Sequence, residues 1–216
     1  MSSTINPSDC KLVVGILIFN NVEILDVAGP FEVFSVTRIN EHLRFEEDSP
    51  FKVMLIAENP NQILTVGGLH LTPDFTIDNC PKLDLLMVPG GMGTRTEVNN
   101  STLIKWISNQ NGKTKLIASV CTGSSLLGRA GLLDGHDATT HWRSFDFLLE
   151  SAPKAHILKN VLFTLEEPVF TSAGVAAGID LALYIVSYFW GVDVGQATAR
   201  HMEYPYPKTN LIKRDT

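Results

Sequence analysis

Lys115-Leu116-Ile117-Ala118-Ser119-Val120-Cys121-Thr122-Gly123-Ser124-Ser125-Leu126-Leu127-Gly128-Arg129-Ala130 is the stretch on which the reading of the fold turns. Its first six residues form a short apolar run of buried-strand type, and the residues from Ser124 onward read as one or two turns of helix. Cys121 falls at the junction, on a tight strand-to-helix turn, where free backbone N–H groups and the positive end of the helix dipole meet its side chain. Both favour the thiolate, so the thiol is expected to titrate at a pKa of roughly 4–7. The same geometry serves the nucleophile elbow of serine hydrolases, so strained backbone angles are expected at Cys121. The competing reading is a small core cysteine, the usual fate of a free Cys. The loop apex and its small polar neighbours favour the nucleophile.

Working outward, residues 12–19 form a continuous β-branched run, the mark of a strand buried on both faces. Gly29-Pro30 follows Asp26, and proline at a first helical position with apolar spacing behind it predicts a helix over about 30–41. Residues 51–58 read as a second buried strand, and 62–72, with Gly67-Gly68 between apolar stretches, as a hairpin or two short strands. A third core strand, 83–88, runs into Pro89-Gly90-Gly91-Met92-Gly93-Thr94. Helical spacing then passes through Leu103, Ile104, Trp106 and Ile107 before the Cys121 strand. Beyond it come a short strand at 138–140, a helix over 142–149, two short strands within 157–165 and a last strand over 169–174. Helices over about 176–190 and 193–203 follow.

Strands alternating with helices predict an α/β fold, a single-domain three-layer sandwich with a mostly parallel central sheet and helices on both faces. Sites in such sheets lie beyond the carboxyl ends of the strands. Asp26, Gly90-Gly91, Cys121 and the Ala173-Gly174 turn all fall at those ends, so four segments converge on one rim.

A chain of 216 residues suits one sizeable core, here residues 1–216 with the core at about 12–204. A formal net charge of −6 argues against a nucleic-acid surface, which needs a basic stripe. The three cysteines, Cys10, Cys80 and Cys121, are far apart and form no C-x-x-C pair, which fits a reducing compartment. Cys10 and Cys80 are read as structural. No basic residue occurs before Lys11, the first apolar run is too short for a signal segment, and no stretch reaches transmembrane length. A cytoplasmic protein with no membrane partner is expected. His42, His70, His136, His156 and His201 show no ligand spacing, so no metal is expected.

In order and spacing, five segments resemble the ThiJ/PfpI superfamily: Ile24-Leu25-Asp26-Val27-Ala28-Gly29-Pro30, Val88-Pro89-Gly90-Gly91, Ser119-Val120-Cys121-Thr122-Gly123, Ala138-Thr139-Thr140-His141-Trp142 and Gly174-Val175-Ala176-Ala177-Gly178-Ile179-Asp180. The resemblance implies a flavodoxin-like fold, similar to class I glutamine amidotransferases, and a homodimer. Apolar residues such as Phe19 and Val22 are candidates for its edge. Within the superfamily the chain resembles two groups, the isocyanide hydratases and the sensor-like domain of AraC-type regulators. Protease members carry a histidine directly after the cysteine; Thr122 stands there, so peptidase chemistry is discounted.

By the same resemblance Asp26 sets a carboxyl group against the Cys121 sulfur. Two like charges there would raise both pKa values, so a protonated Asp26 is expected to donate to the thiolate and then to shuttle a proton. A turn residue before a helix is the other reading of Asp26. Gly90 or Gly91 could supply an N–H to a developing negative charge with the Thr122 N–H opposite, or could simply form a glycine turn. Thr122 offers a hydroxyl to the reacting group or caps the helix. His141 stands where the superfamily often has a histidine near the sulfur, or is a structural histidine; Gly174 and Val175 line the pocket. The implied activity is hydration of a small-molecule isocyanide to an N-substituted formamide through a covalent thioimidate, without a cofactor. The alternatives are a ligand sensor and a carbonyl- or oxidative-stress protein. No helix-turn-helix pattern follows through Thr216, which favours the enzyme. Ser172-Ala173 departs from the glycine run expected in hydratases and alters the pocket wall.

Overall fold

A computed structural model describes residues 11–206. Cys10, read from the sequence as structural, lies outside the described residues. The strands are β1 (Leu12–Leu17), β2 (Phe51–Ala57), β3 (Ile63–Leu64), β4 (His70–Leu71), β5 (Phe75–Thr76), β6 (Leu85–Val88), β7 (Leu116–Val120), β8 (Asp137–Ala138), β9 (His156–Ile157), β10 (Phe163–Glu166) and β11 (Val169–Ser172). The helices are α1 (Ile24–Val36), α2 (Thr94–Glu97), α3 (Ser101–Ser108), α4 (Gly123–Arg129), α5 (Phe145–Ser151), α6 (Ala177–Trp190) and α7 (Val192–His201).

Seven strands form one sheet in the order β10-β11-β7-β6-β1-β2-β5. Every pairing in it is parallel except β10 with β11. β6 and β7 are buried at every position, as the continuous apolar runs require of strands covered on both faces. Helices α1, α6 and α7 pack on one another, and α3, α4 and α5 form a second group around α4. The α/β architecture with a mostly parallel sheet is thus the one the strand–helix alternation predicts. No helix among the described residues is long and apolar enough to cross a membrane.

Three local readings change. Helix α1 runs over Ile24–Val36 rather than over about 30–41, so that it starts before Pro30, which lies inside it, and ends short of residue 41. Proline there removes one helical donor, and with it the bond to the Asp26 carbonyl. The preceding Gly29 lets α6 approach, since a Cβ at that position would sit 2.9 Å from Ile179 Cγ1. Asp26 therefore belongs to the first turn of a helix rather than to a loop. Helix α5 starts at Phe145, three residues later than predicted, because residues 141–144 form the turn that carries His141. Phe19 and Val22, expected near an exposed edge, are inside the core, at 5% and 0% exposure.

Candidate active site

Cys121 follows β7 directly and precedes α4, with φ of 55°. That left-handed conformation is uncommon for a residue with a side chain and stores about 1–3 kcal/mol of strain. The surroundings hold it in place. The Cys121 N–H donates to the Ala173 carbonyl at 3.0 Å. Its carbonyl accepts from Thr140 Oγ1 at 2.9 Å and from Ser124 Oγ at 3.1 Å. Gly123 is the next constraint: a Cβ there would overlap the Val88 carbonyl, so β6 and the turn after β7 touch backbone to backbone.

A second strained residue faces the first. Val175, β-branched and with φ of 46°, lies between β11 and α6, and its N–H and that of Thr122 both donate toward the Cys121 sulfur. Both hydrogen bonds favour the thiolate. Burial and the negative charge of Asp26 oppose them and win, pushing the thiol up to about 12. The thiol pKa of roughly 4–7 expected from the turn geometry is therefore corrected. Helix-end donors do face the sulfur, but removal from water, with a carboxylate beneath, outweighs them.

Asp26 is fully buried. Its Oδ2 accepts from the Gly90 N–H at 2.9 Å, while Oδ1 has no full hydrogen-bond partner. Burial above all raises the carboxyl, and nearby Glu23 adds to it; the Gly90 bond and the Cys121 side chain pull the other way, and the net is a rise from 3.8 to about 7. The two groups titrate as a pair, and the last proton to leave resides on sulfur. The expected resting state, a protonated Asp26 donating to a thiolate, is thus reversed above about pH 7.

The glycine donors are also engaged differently from the expected oxyanion pair. The Gly90 N–H is spent on Asp26, and the Gly91 N–H donates to Thr122 Oγ1 at 3.0 Å. Thr122 Oγ1 in turn donates to the Gly91 carbonyl and accepts from Thr94 Oγ1 at 3.0 Å. Its hydroxyl locks the Gly90-Gly91 turn to the Cys121 turn, and it makes no capping bond to α4. The N–H pair aimed at the reacting centre comes from Thr122 and Val175.

Cys121, Thr122, Gly91, His141 and Val175 meet in one pocket of about 220 Å³. This is smaller than the usual range for drug-sized ligands and suits a small molecule. Gly174 lies behind the wall, where a Cβ would run into the His141 ring. His141 Nδ1 accepts from the Arg143 N–H at 3.3 Å, which assigns the ring hydrogen to Nε2. Burial, and then the Arg143 charge, hold this histidine below its ordinary pKa, so it is neutral at pH 7. Sequence reasoning missed Thr94 and Thr140, which tie the turns together, and Glu23, Val66, Met92, Arg95, Arg143 and Ser144, which complete the lining. Nearness in the chain to Asp26, Gly91 or His141 is the one signal that could have pointed to all of them but Val66.

Residues 13–188 match the DJ-1/PfpI family. The isonitrile hydratase of Pseudomonas putida is 34% identical over 210 residues, covering 95% of this chain and 84% of that protein. The HTH-type transcriptional regulator GbdR of Pseudomonas aeruginosa is 28% identical, covering 88% of this chain and 50% of the regulator, so the chain spans half of that relative. Among solved structures, a ThiJ/PfpI family protein from Pseudomonas syringae superposes with a TM-score of 0.79 at 27% identity, covering 96% of this chain and 81% of that one. The chain is a member of the DJ-1/PfpI family.

Proposed function

We propose that the protein hydrates small isocyanides to N-substituted formamides, with Cys121 as nucleophile and Asp26 as proton carrier. The observation that carries this reading is the buried thiol–carboxyl pair at the pocket floor, with the carboxyl poised near pH 7. The 34% identity to an isonitrile hydratase supports it. As sulfur attacks the terminal carbon of R–N≡C, its proton passes to the Asp26 carboxylate, so the thiol need not ionise beforehand. The Thr122 and Val175 N–H groups hold the charge that develops on sulfur. Asp26 then gives the proton to the carbon, leaving R–N=CH–S–Cys121, a thioimidate. Water adds across the C=N bond, its oxygen to carbon and one of its protons to nitrogen, giving R–NH–CH(OH)–S–Cys121. The neutral His141 serves on the wall as a hydrogen-bond donor through Nε2–H, not as the proton source. The carbon–sulfur bond breaks, sulfur regains the remaining proton through Asp26, and R–NH–CHO departs. One water is consumed and no redox change occurs.

Incubation with tert-butyl isocyanide in H₂¹⁸O tests this. The expected result is labelled formamide and a transient Cys121 adduct with the mass of one isocyanide. Absence of formamide would refute it. A second reading, a ligand sensor, is favoured by the match to GbdR and would show saturable binding without turnover. Cytoplasmic placement and a homodimer belong to the same proposal. Sedimentation as a monomer at micromolar concentration would remove the dimer.

A further inference from the structure

Two arginines in the pocket lining have no part in the proton chemistry. Arg95, in α2, lies with Cζ 5.2 Å above the Phe147 ring, and its Nη1 is 3.7 Å from Met92 Sδ. Arg143, in the turn before α5, lies with Cζ 4.6 Å above the Trp142 ring. Neither forms an ion pair among the described residues, whereas Arg44 is held by Glu41 at 2.6 Å. Stacking occupies the face of a guanidinium and leaves its N–H edge free to bind an anion. It also restrains a long side chain, so less rotamer freedom is lost on binding.

The only carboxylate in the lining is Glu23, which lies near enough to Asp26 to raise its pKa and so belongs to the floor. The lining is therefore acidic beside Cys121 and carries two cations elsewhere, against an overall charge of −6. A neutral isocyanide would leave both arginines unused.

We infer that the substrate carries a carboxylate at the end remote from its isocyano carbon, held by Arg95 and Arg143; this rests on the hydratase reading. A pocket of about 220 Å³ that must also hold the isocyano end has room for a compact planar carboxylate. Planar guanidinium edges also match a carboxylate in geometry.

The test compares 4-isocyanobutanoate with its methyl ester, which differ in charge and little else. The acid should exceed the ester in kcat/KM by at least about tenfold, or about 1.4 kcal/mol. The ratio should fall with added salt and approach unity in the Arg95→Gln/Arg143→Gln double variant. Both side chains are exposed, so the variant should fold. If the ester is processed as well as the acid, the inference fails and the hydratase reading survives. If neither turns over, the hydratase reading fails, and calorimetry of both compounds with Cys121→Ser decides the inference separately. Tenfold tighter binding of the acid sustains it, and equal binding overturns it.

Discussion

At the floor of the pocket, Asp26, Gly90, Gly91, Thr122 and Thr94 are tied together by hydrogen bonds that run largely through backbone groups. At its mouth, Met92, Arg95, Trp142 and Arg143 are exposed and hold one another by stacking and a sulfur contact. The floor tolerates almost no change of shape, while the mouth can alter side chain by side chain. A scaffold divided in this way can keep one chemistry and vary what enters. That division makes contrasting predictions for substitutions in the two regions.

The largest effect is expected at Cys121. Cys121→Ala should abolish formamide formation, because without sulfur no thioimidate can form, whereas Cys80→Ala should leave turnover near wild type. Cys80 is half-buried outside the site, its thiol donating to the Pro81 carbonyl at 3.2 Å. Formamide release by both variants in a mass-spectrometric assay distinguishes the two thiols.

Asp26→Asn comes next. General acid–base groups contribute on the order of 10² to 10⁴ in rate, and turnover should fall by that amount. In the wild type the competent state has Asp26 ionised and Cys121 protonated. Thus kcat/KM should rise with pH through about 7 and stay high toward the thiol's upper value. The stability effect has the opposite sign. Since the folded pKa lies above the unfolded one, the native state binds the extra proton between about 3.8 and 7, and stability is lost as pH rises through that window. Above it, Asn removes a buried charge, so the variant should be the more stable at pH 8, by an amount of the order of a few kcal/mol. Denaturant titrations of both proteins at pH 5 and pH 8 check the sign.

A third prediction contrasts two glycines. A Cβ at Gly90 would lie 2.5 Å from Thr122 N and 2.9 Å from Cys121 Cβ, while one at Gly67 meets nothing within 4 Å. Gly90→Ala should cost roughly 1–3 kcal/mol through overpacking and displace the sulfur, lowering turnover with it. Gly67→Ala should stay within about 0.5 kcal/mol of wild type. Equal melting temperatures for the two variants would erase the distinction between a rigid floor and an open surface.

The same division explains what could be read before the fold was seen. Strands β6 and β7, and β1 from Val14 onward, are visible as apolar runs because burial on both faces leaves no room for polar alternation, while β2 reads as a strand despite an exposed Lys52. The Cys121 turn is visible because small residues are needed where β6 and the turn touch. The start of α1 is hidden, since Gly29-Pro30 normally marks a boundary and only the close passage of α6 explains a Gly-Pro inside the helix. The direction of the Cys121 pKa is hidden for another reason: local donors can be counted along a chain, but desolvation depends on everything packed around the sulfur. Arg95 and Arg143 give no signal beyond their nearness in the chain to Gly91 and His141, because an arginine in a polar turn looks the same whether it faces solvent or a pocket.

The smallest effect is expected at Trp142. Its side chain is 66% exposed, so Trp142→Ala should change stability by no more than about 0.5 kcal/mol. What it removes is the ring beneath Arg143. Freed from that ring, the guanidinium samples more rotamers and must be ordered again when an anion binds. The preference for 4-isocyanobutanoate over its methyl ester should therefore shrink severalfold, through KM for the acid, while kcat holds because the thiol–carboxyl pair is untouched. A fall in kcat for both compounds alike would mean that the mouth and the floor are coupled. Trp142 would then act on the positioning of His141, whose ring centroid lies 5.7 Å from its own.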